Sequence, residues 1–177
     1  MNAIRTFYIS VFEWLNLWFK PLAMLGLRWQ IFSVFFYSGL AKWNGFLKPD
    51  PGVYDLFLYE FFCPEEVRPG ALQLCDPKTL DYVEGSSIVA YIKFFAVTAG
   101  VLEIVLPVLL MIGLFTRFSA LGILVMTLFI QLAVFPTWSH WVNPAAWWAA
   151  VAAALIVIGP GKLSLDYWWG FEKKTTS

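Results

Sequence analysis

IVAYIKFFAVTAGVLEIVLPVLLMI, residues 88–112, carries two charges, Lys93 and Glu103, in an otherwise apolar run. At about 1.5 Å per helical residue, the run is long enough to cross a hydrocarbon layer about 30 Å thick. Two later runs, 118–136 and 144–160, hold no charge, and an earlier one, 22–41, holds only Arg28. Each is long enough, or nearly so, to cross the same layer. Four runs of this kind predict an all-α fold, an integral membrane four-helix bundle forming a single domain over residues 1–177.

Composition agrees. The chain of 177 residues is 60% hydrophobic, 19% aromatic and 14% charged. A soluble domain has about 25% charged residues. The net charge is zero, so no long-range field points to nucleic acid or an acidic ligand. The first twenty residues contain Glu13 and bulky aromatics and lack a small-residue cleavage site, so the first span is expected to act as its own insertion signal.

Basic residues set the expected orientation. Arg5, Lys20, Arg117, Lys162, Lys173 and Lys174 all fall on one face if there are four spans. Lys42, Lys48, Arg68 and Lys78 are spread over the long loop on the other. The denser flank is the cytoplasmic one, which places both termini in the cytoplasm. The loop also holds the acids Asp50, Asp55, Glu60, Glu65, Glu66, Asp76, Asp81 and Glu84, which weigh little in this rule.

In residues 1–20, Ile4, Phe7, Tyr8, Val11, Trp14, Leu15 and Trp18 recur at roughly helical spacing. This predicts an N-terminal amphipathic helix in the inner interface, ending at Pro21, or alternatively an extension of the first span with Pro21 in its path. The long outer loop, 43–87, exceeds a plain connection. Its aromatic part, 53–62, is expected to be a helix resting on the membrane surface. Pro64, Pro69, Gly70 and Pro77 break the chain beyond it, and Asp81, Ser86 and Ser87 are candidate caps of the second span. The loop reads as a lid over the outer end or as a plain surface loop. The alanine-rich fourth span permits close helix approach. Tryptophans and a tyrosine near both its ends suit interfacial belts.

Polar residues inside the spans are costly and therefore informative. Arg28 and Glu103 lie roughly 9–14 Å deep on the same side of the midplane. A lone charge at a helix centre costs roughly 2.5–3.5 kcal/mol, so an Arg28–Glu103 ion pair is expected, as a clamp or as part of a proton or anion site. Lys42, Lys93, Gln131, His140 and Asn143 all fall near the outer ends. They read either as a candidate outer pocket for a quinone head group or small anion, or as snorkelling lysines and a solvated histidine. Cys63 and Cys75, in the outer loop, are expected to form a disulfide in an oxidising compartment, or to be a redox-active pair. No metal site is expected, and no nucleotide or haem motif is present in the sequence.

Several of these residues resemble the DoxX family of small four-helix membrane proteins. Leu27-Arg28 with Gly39 and Lys42, Glu103 with Leu106-Pro107-Val108-Leu109-Leu110, and Gly113-Leu114-Phe115-Thr116-Arg117 are similar to its pattern. So are Met126-Thr127, Gln131 to Pro136, His140-Trp141, and Gly159-Pro160-Gly161-Lys162-Leu163-Ser164-Leu165-Asp166. The chain most resembles DoxX-type proteins found alongside maturation of copper-binding ribosomal peptides, and departs from them in the loop with Cys63 and Cys75. The family also resembles a membrane subunit of thiosulfate:quinone oxidoreductase. The resemblance implies a protein of a bacterial inner (cytoplasmic) membrane. Three functions follow: an accessory or scaffolding subunit of a larger membrane complex, with no catalytic activity of its own; a quinone-linked redox subunit; or a factor for copper-peptide maturation. Expected partners are membrane lipid and other membrane-protein subunits, with no cofactor required and quinone as the candidate ligand.

Overall fold

The computed structural model describes residues 2–45, 48–66, 68–75 and 85–171. The expected cap Asp81, the loop residues Asp76, Pro77, Lys78 and Glu84, and the flanking Lys173 and Lys174 lie outside the described residues. Among the described residues the chain is all-helical and has no strand.

Helix α1 (Asn2–Leu40) is followed by α2 (Pro51–Asp55), which continues as a π-helical turn, Leu56–Phe62. Helix α3 is Ser87–Ile112, capped by the Ser86 hydroxyl, which accepts from the Val89 N–H. Gly113 ends it in the left-handed region at φ 73°, the usual role of glycine after a helix. Helix α4 (Thr116–Phe129) runs into a second π-helical turn, Ile130–Val134. A short α5 (Trp138–His140) and the segment Trp141–Ala145 lead into α6 (Ala146–Ile158). Asn143 in that segment is extended (φ −148°, ψ 109°), as the residue before a proline prefers, so the main run of the last span begins at Pro144. Helix α7 (Leu165–Trp168) closes the described chain.

Three helical stretches are long and apolar enough to cross a membrane: Ser87–Ile112, Thr116–Val134 and Trp138–Ile158. Only 28%, 33% and 17% of their most apolar windows are buried inside the protein. A water-soluble fold hides such surface in its core, whereas a membrane protein turns it to lipid. The chain is a membrane protein.

The core draws on four helices. Met24, Ile31 and Phe35 of α1 pack with Leu110 of α3, Ala120 and Ile123 of α4, and Ala152 and Leu155 of α6. A second cluster joins Val53, Phe57, Phe62 and Cys63 to Ile92 and Ala96 of α3. The aromatic helix after Asp50 therefore buries its apolar face against α3.

Of the two readings at Pro21, the extension of the first span with the proline in its path holds: helix α1 does not end at Pro21 but runs through it, 39 residues in all. Proline removes one N–H and its ring crowds the preceding turn, which costs about 3 kcal/mol in a helix interior. Residues 24–35, packed into the core just beyond Pro21, hold the helix on that side. The first half carries Ile4, Phe7, Trp14 and Trp18 exposed. Phe12, Leu17 and Phe19 of the same half are exposed as well.

Candidate functional site

The close approach of α1 and α3 builds the site. Gly39 lies against α3 so tightly that a Cβ would stand 2.9 Å from the backbone carbonyl of Glu103. The Trp43 indole lies over Gly100 and donates to its carbonyl at 3.4 Å. Gly39 lets the two backbones come together, as small residues do in other membrane helix pairs, and Gly100 makes room for the indole. That approach carries Lys42, at the turn ending α1, onto Glu103. The ammonium donates to Glu103 Oε2 at 2.5 Å, and to the Ser38 carbonyl and hydroxyl at 3.3 and 3.2 Å. Its three N–H donors thus have three acceptors. The side chains are 13% and 7% exposed, so this is a largely buried pair.

Lys42 and Glu103 form the polar end of a cavity of about 400 Å³ between α1, α3, α4 and the helix after Asp50. Its other walls are mostly apolar: Phe57, Phe61, Phe62, Phe95, Leu102, Met126, Phe129 and Phe135. Phe95 and Phe129 stack at 6.4 Å between α3 and α4 and are both partly exposed, as is Val125 beside them. The cavity therefore opens sideways, on a face that in a membrane meets lipid. Two π-helical turns contribute to it. In the first, the Cys63 N–H reaches the Leu58 carbonyl, and the wider turn brings Phe57, Phe61 and Phe62 to one face. In the second, the Phe135 N–H reaches the Ile130 carbonyl, and Ile130 and Val134 line the wall. Such turns are rare and recur at functional sites.

The Arg28–Glu103 pair expected from sequence is corrected. Glu103 pairs with Lys42, and Arg28, fully buried, donates to the carbonyls of Met111 at 3.3 Å and of Leu163. Depth counted along two helices cannot tell which side chains face each other. The Met111 carbonyl lies in the last turn of α3, where no intrahelical donor reaches it, so a guanidinium is a favourable partner. Asp166 supplies the carboxylate charge acting on Arg28. Asp166 also accepts from the Phe115 and Thr116 N–H groups, both at 2.8 Å, and its own N–H donates to the Gly113 carbonyl. Arg28, Gly113 and the segment from Leu163 to Asp166 thus form a structural knot where α1, α3, α4 and α7 meet.

The expected outer pocket does not form as one group. Gln131 and His140 do meet: His140 Nδ1 lies 2.6 Å from Gln131 Oε1, and Gln131 Nε2 donates to the Thr137 carbonyl at 3.1 Å. Phe135 stacks on the His140 ring at 5.0 Å. Lys42 belongs to the cavity with Glu103. Lys93 lies over the Tyr54 ring at 5.7 Å, outside the cavity, and Asn143 is exposed in its turn. Alternation of span direction brings residues to one end but not to one face. Cys63 and Cys75 form a disulfide, which ties the helix after Asp50 to the chain that crosses toward α4, where the Leu72 N–H donates to the Ala133 carbonyl. Among the described residues, no group of three or more histidine, cysteine, aspartate or glutamate side chains could hold a metal ion.

Sequence reasoning missed the phenylalanine wall and the cap formed by Asp166. The first had a signal in the aromatic density of 53–62. The second lay in the Leu-Ser-Leu-Asp segment, where an aspartate next to a helix start is a capping signal for some partner.

A family model described as DoxX matches residues 23–136, a stretch that includes Arg28, Gly39, Lys42, Glu103 and the two π-helical turns that line the cavity. No curated protein and no solved structure was found to match the chain. With well over half of its length covered by that model, the chain belongs to the DoxX family.

Proposed function

We propose that this protein is an accessory membrane subunit of a larger redox complex, and that it holds a quinone-class lipid in the aromatic cavity. The observation that carries the reading is an apolar, phenylalanine-walled cavity of about 400 Å³ ending in a buried Lys42–Glu103 pair. Small-molecule sites are typically about 300–1,000 Å³ and mostly apolar, with a few convergent polar groups. The residues fit a head group with ring carbonyls and an apolar tail. Phenylalanine faces would stack on the ring, the Lys42 ammonium would donate to a carbonyl oxygen, and the Glu103 carboxylate would exchange a proton beside it. The opening between α3 and α4 would admit the tail from lipid. A bound quinone would supply two-electron, two-proton redox chemistry.

The same reading makes the protein a four-helix bundle, with the second half of α1 as the fourth span. Supporting this, Met24, Ile31 and Phe35 share the core of the other three spans, and Arg28 is wholly buried. At about 1.5 Å per residue, α1 is roughly 58 Å long, about twice a hydrocarbon core. Its first half then stands at the interface on the side of Lys20, Arg117 and Lys162. That is the cytoplasmic side of a bacterial inner membrane, with both termini inside.

The test is extraction of the protein purified in mild detergent. About one quinone per chain is expected, with at least a fivefold loss in K42Q/E103Q, which removes the charges and keeps the volume. Wild-type protein that carries no quinone yet stays bound to large membrane partners would leave a scaffold and overturn the ligand assignment.

A further inference from the structure

The two π-helical turns that line the aromatic cavity come from distant parts of the chain, and one segment ties them together. The segment 68–75 touches both. At the second turn, the Leu72 N–H donates to the Ala133 carbonyl at 2.8 Å, and the Arg68 guanidinium lies over the Phe135 ring at 4.9 Å. Gly70 sits beside the Pro136 ring that follows. At the first turn, Arg68 donates to the Glu60 carbonyl, the Leu74 N–H donates to the Phe62 carbonyl at 2.9 Å, and Cys75 is bonded to Cys63. The two walls meet where the Phe61 ring stands edge-on to Phe135 at 5.6 Å.

The disulfide is fixed at a decisive point of this strap. The Cys63 N–H closes the first π-turn onto the Leu58 carbonyl, and Cys63 directly follows Phe62, which is buried and lines the cavity. Neither cysteine lines the cavity itself. The bond therefore holds a wall in place without meeting what the cavity contains. The other ties of the strap include one backbone hydrogen bond to each turn, and a single bond of that kind contributes little net stability. A covalent cross-link contributes more. Cys63 is buried and Cys75 only half-buried, so Cys75 is the sulfur that a thiol from solution can approach.

We propose that the Cys63–Cys75 disulfide is a redox latch on the aromatic cavity. Oxidised, it keeps the two π-turns together and the ligand in; reduced, it lets Phe61 and Phe135 part and the ligand leave. The latch rests on the reading of that cavity as a ligand site. A thiolate of a dithiol reductant attacks the Cys75 sulfur and breaks the S–S bond, and Cys63 leaves as a thiolate that takes a proton. The second thiol of the reductant then displaces Cys75, which also takes a proton, and the reductant ends as a disulfide. Two electrons and two protons pass to the cysteines and none to the cavity ligand.

Hydrogen exchange of the detergent-purified full chain, read by mass spectrometry, compares oxidised protein with protein reduced by dithiothreitol. Exchange is expected to quicken by about tenfold or more in both 56–66 and 127–137, with 110–120 unchanged. In a second arm, oxidised and reduced protein, freed of reagent under nitrogen, are loaded with decylubiquinone and its dissociation is followed. Release about fivefold faster is expected after reduction. C63A/C75A, which has no sulfur to reduce, should match reduced protein and ignore dithiothreitol; reduced wild-type protein carries the test if this variant aggregates. Quickening confined to 56–66, or absent, overturns the latch. Quickening spread over every helix overturns it too, since that marks a plain stabilising cross-link, and so does decylubiquinone release that reduction leaves unchanged. Oxidised protein that binds no decylubiquinone defeats the ligand reading by itself, and the exchange result alone then upholds or overturns the latch.

Discussion

Replacing Asp166 with alanine removes the cap of α4 from fifty residues away. The residue before α4, Phe115, sits in the left-handed region (φ 48°) and has no side-chain oxygen to offer the helix. Asp166 supplies both acceptors instead, to Phe115 and Thr116 N–H at 2.8 Å each. Hydrogen bonds to an ionised group contribute about 1.5–3 kcal/mol apiece, so the pair is worth about 3–6 kcal/mol before relaxation. Asp166 is 6% exposed and Thr116 is fully buried, so water replaces little of this. Arg28 also loses the carboxylate charge that acts on it. We expect Asp166→Ala to lower the unfolding free energy by about 3–4 kcal/mol, and Asp166→Asn, which keeps one acceptor oxygen and no charge, by about half as much. The measurement is SDS-induced unfolding of the detergent-purified protein followed by far-UV circular dichroism. A loss below about 1 kcal/mol in the alanine variant would refute the cap and the knot built on it.

The Lys42–Glu103 pair predicts a double-mutant cycle in the same unfolding assay: each alanine variant costs about 3 kcal/mol, with coupling above about 1 kcal/mol. Arg28→Ala and Glu103→Ala should instead add within about 0.5 kcal/mol, and strong coupling there would restore the pairing read from sequence. Gly39→Val places side-chain atoms against the Glu103 backbone, where a Cβ already stands at 2.9 Å. It should cost about 1–3 kcal/mol and disturb retention of any cavity ligand, since α1 must move away from α3. Removing the disulfide as C63S/C75S should lower stability by about 2–4 kcal/mol, and unchanged unfolding in the presence and absence of reductant would contradict a structural bond. Tags on either end should be inaccessible from outside intact cells, and labelling of one end alone would exclude an even number of passes.

The candidate site was legible in part. Glu103 and Lys42 stood out as charges in apolar runs, because lipid makes such residues conspicuous. Gln131 and His140 were placed at the same end, and they do meet. Their grouping with Lys93 and Asn143 failed because direction along a span fixes height and says nothing of rotation about the helix axis. Lys93 and Glu103 are ten residues apart on α3, and the helix turns Lys93 away to Tyr54 while Glu103 faces α1. The phenylalanine wall was invisible as a wall, since its members come from α3, α4 and the helix after Asp50, and π-helical turns shift the register that would have aligned them. Pro21 left two readings open for a simpler reason: local propensity favours a break there, and the packing of Met24, Ile31 and Phe35 decides for the continuous helix.

Apolar length, the scarcity of charge and a cysteine pair in a proline-broken loop are one-dimensional properties. They determined by themselves that this chain is a helical membrane protein, and they offered a disulfide in that loop that the structure then shows. Which charge meets which was decided by the tertiary structure alone. Gly39 sets how closely two backbones approach and Gly100 leaves room for the Trp43 indole, and that packing hands Glu103 to Lys42 while leaving Arg28 to the carbonyls of Met111 and Leu163. An ionised side chain pairs with what lies within a few ångströms, and only the rotation and separation of packed helices fix that neighbour.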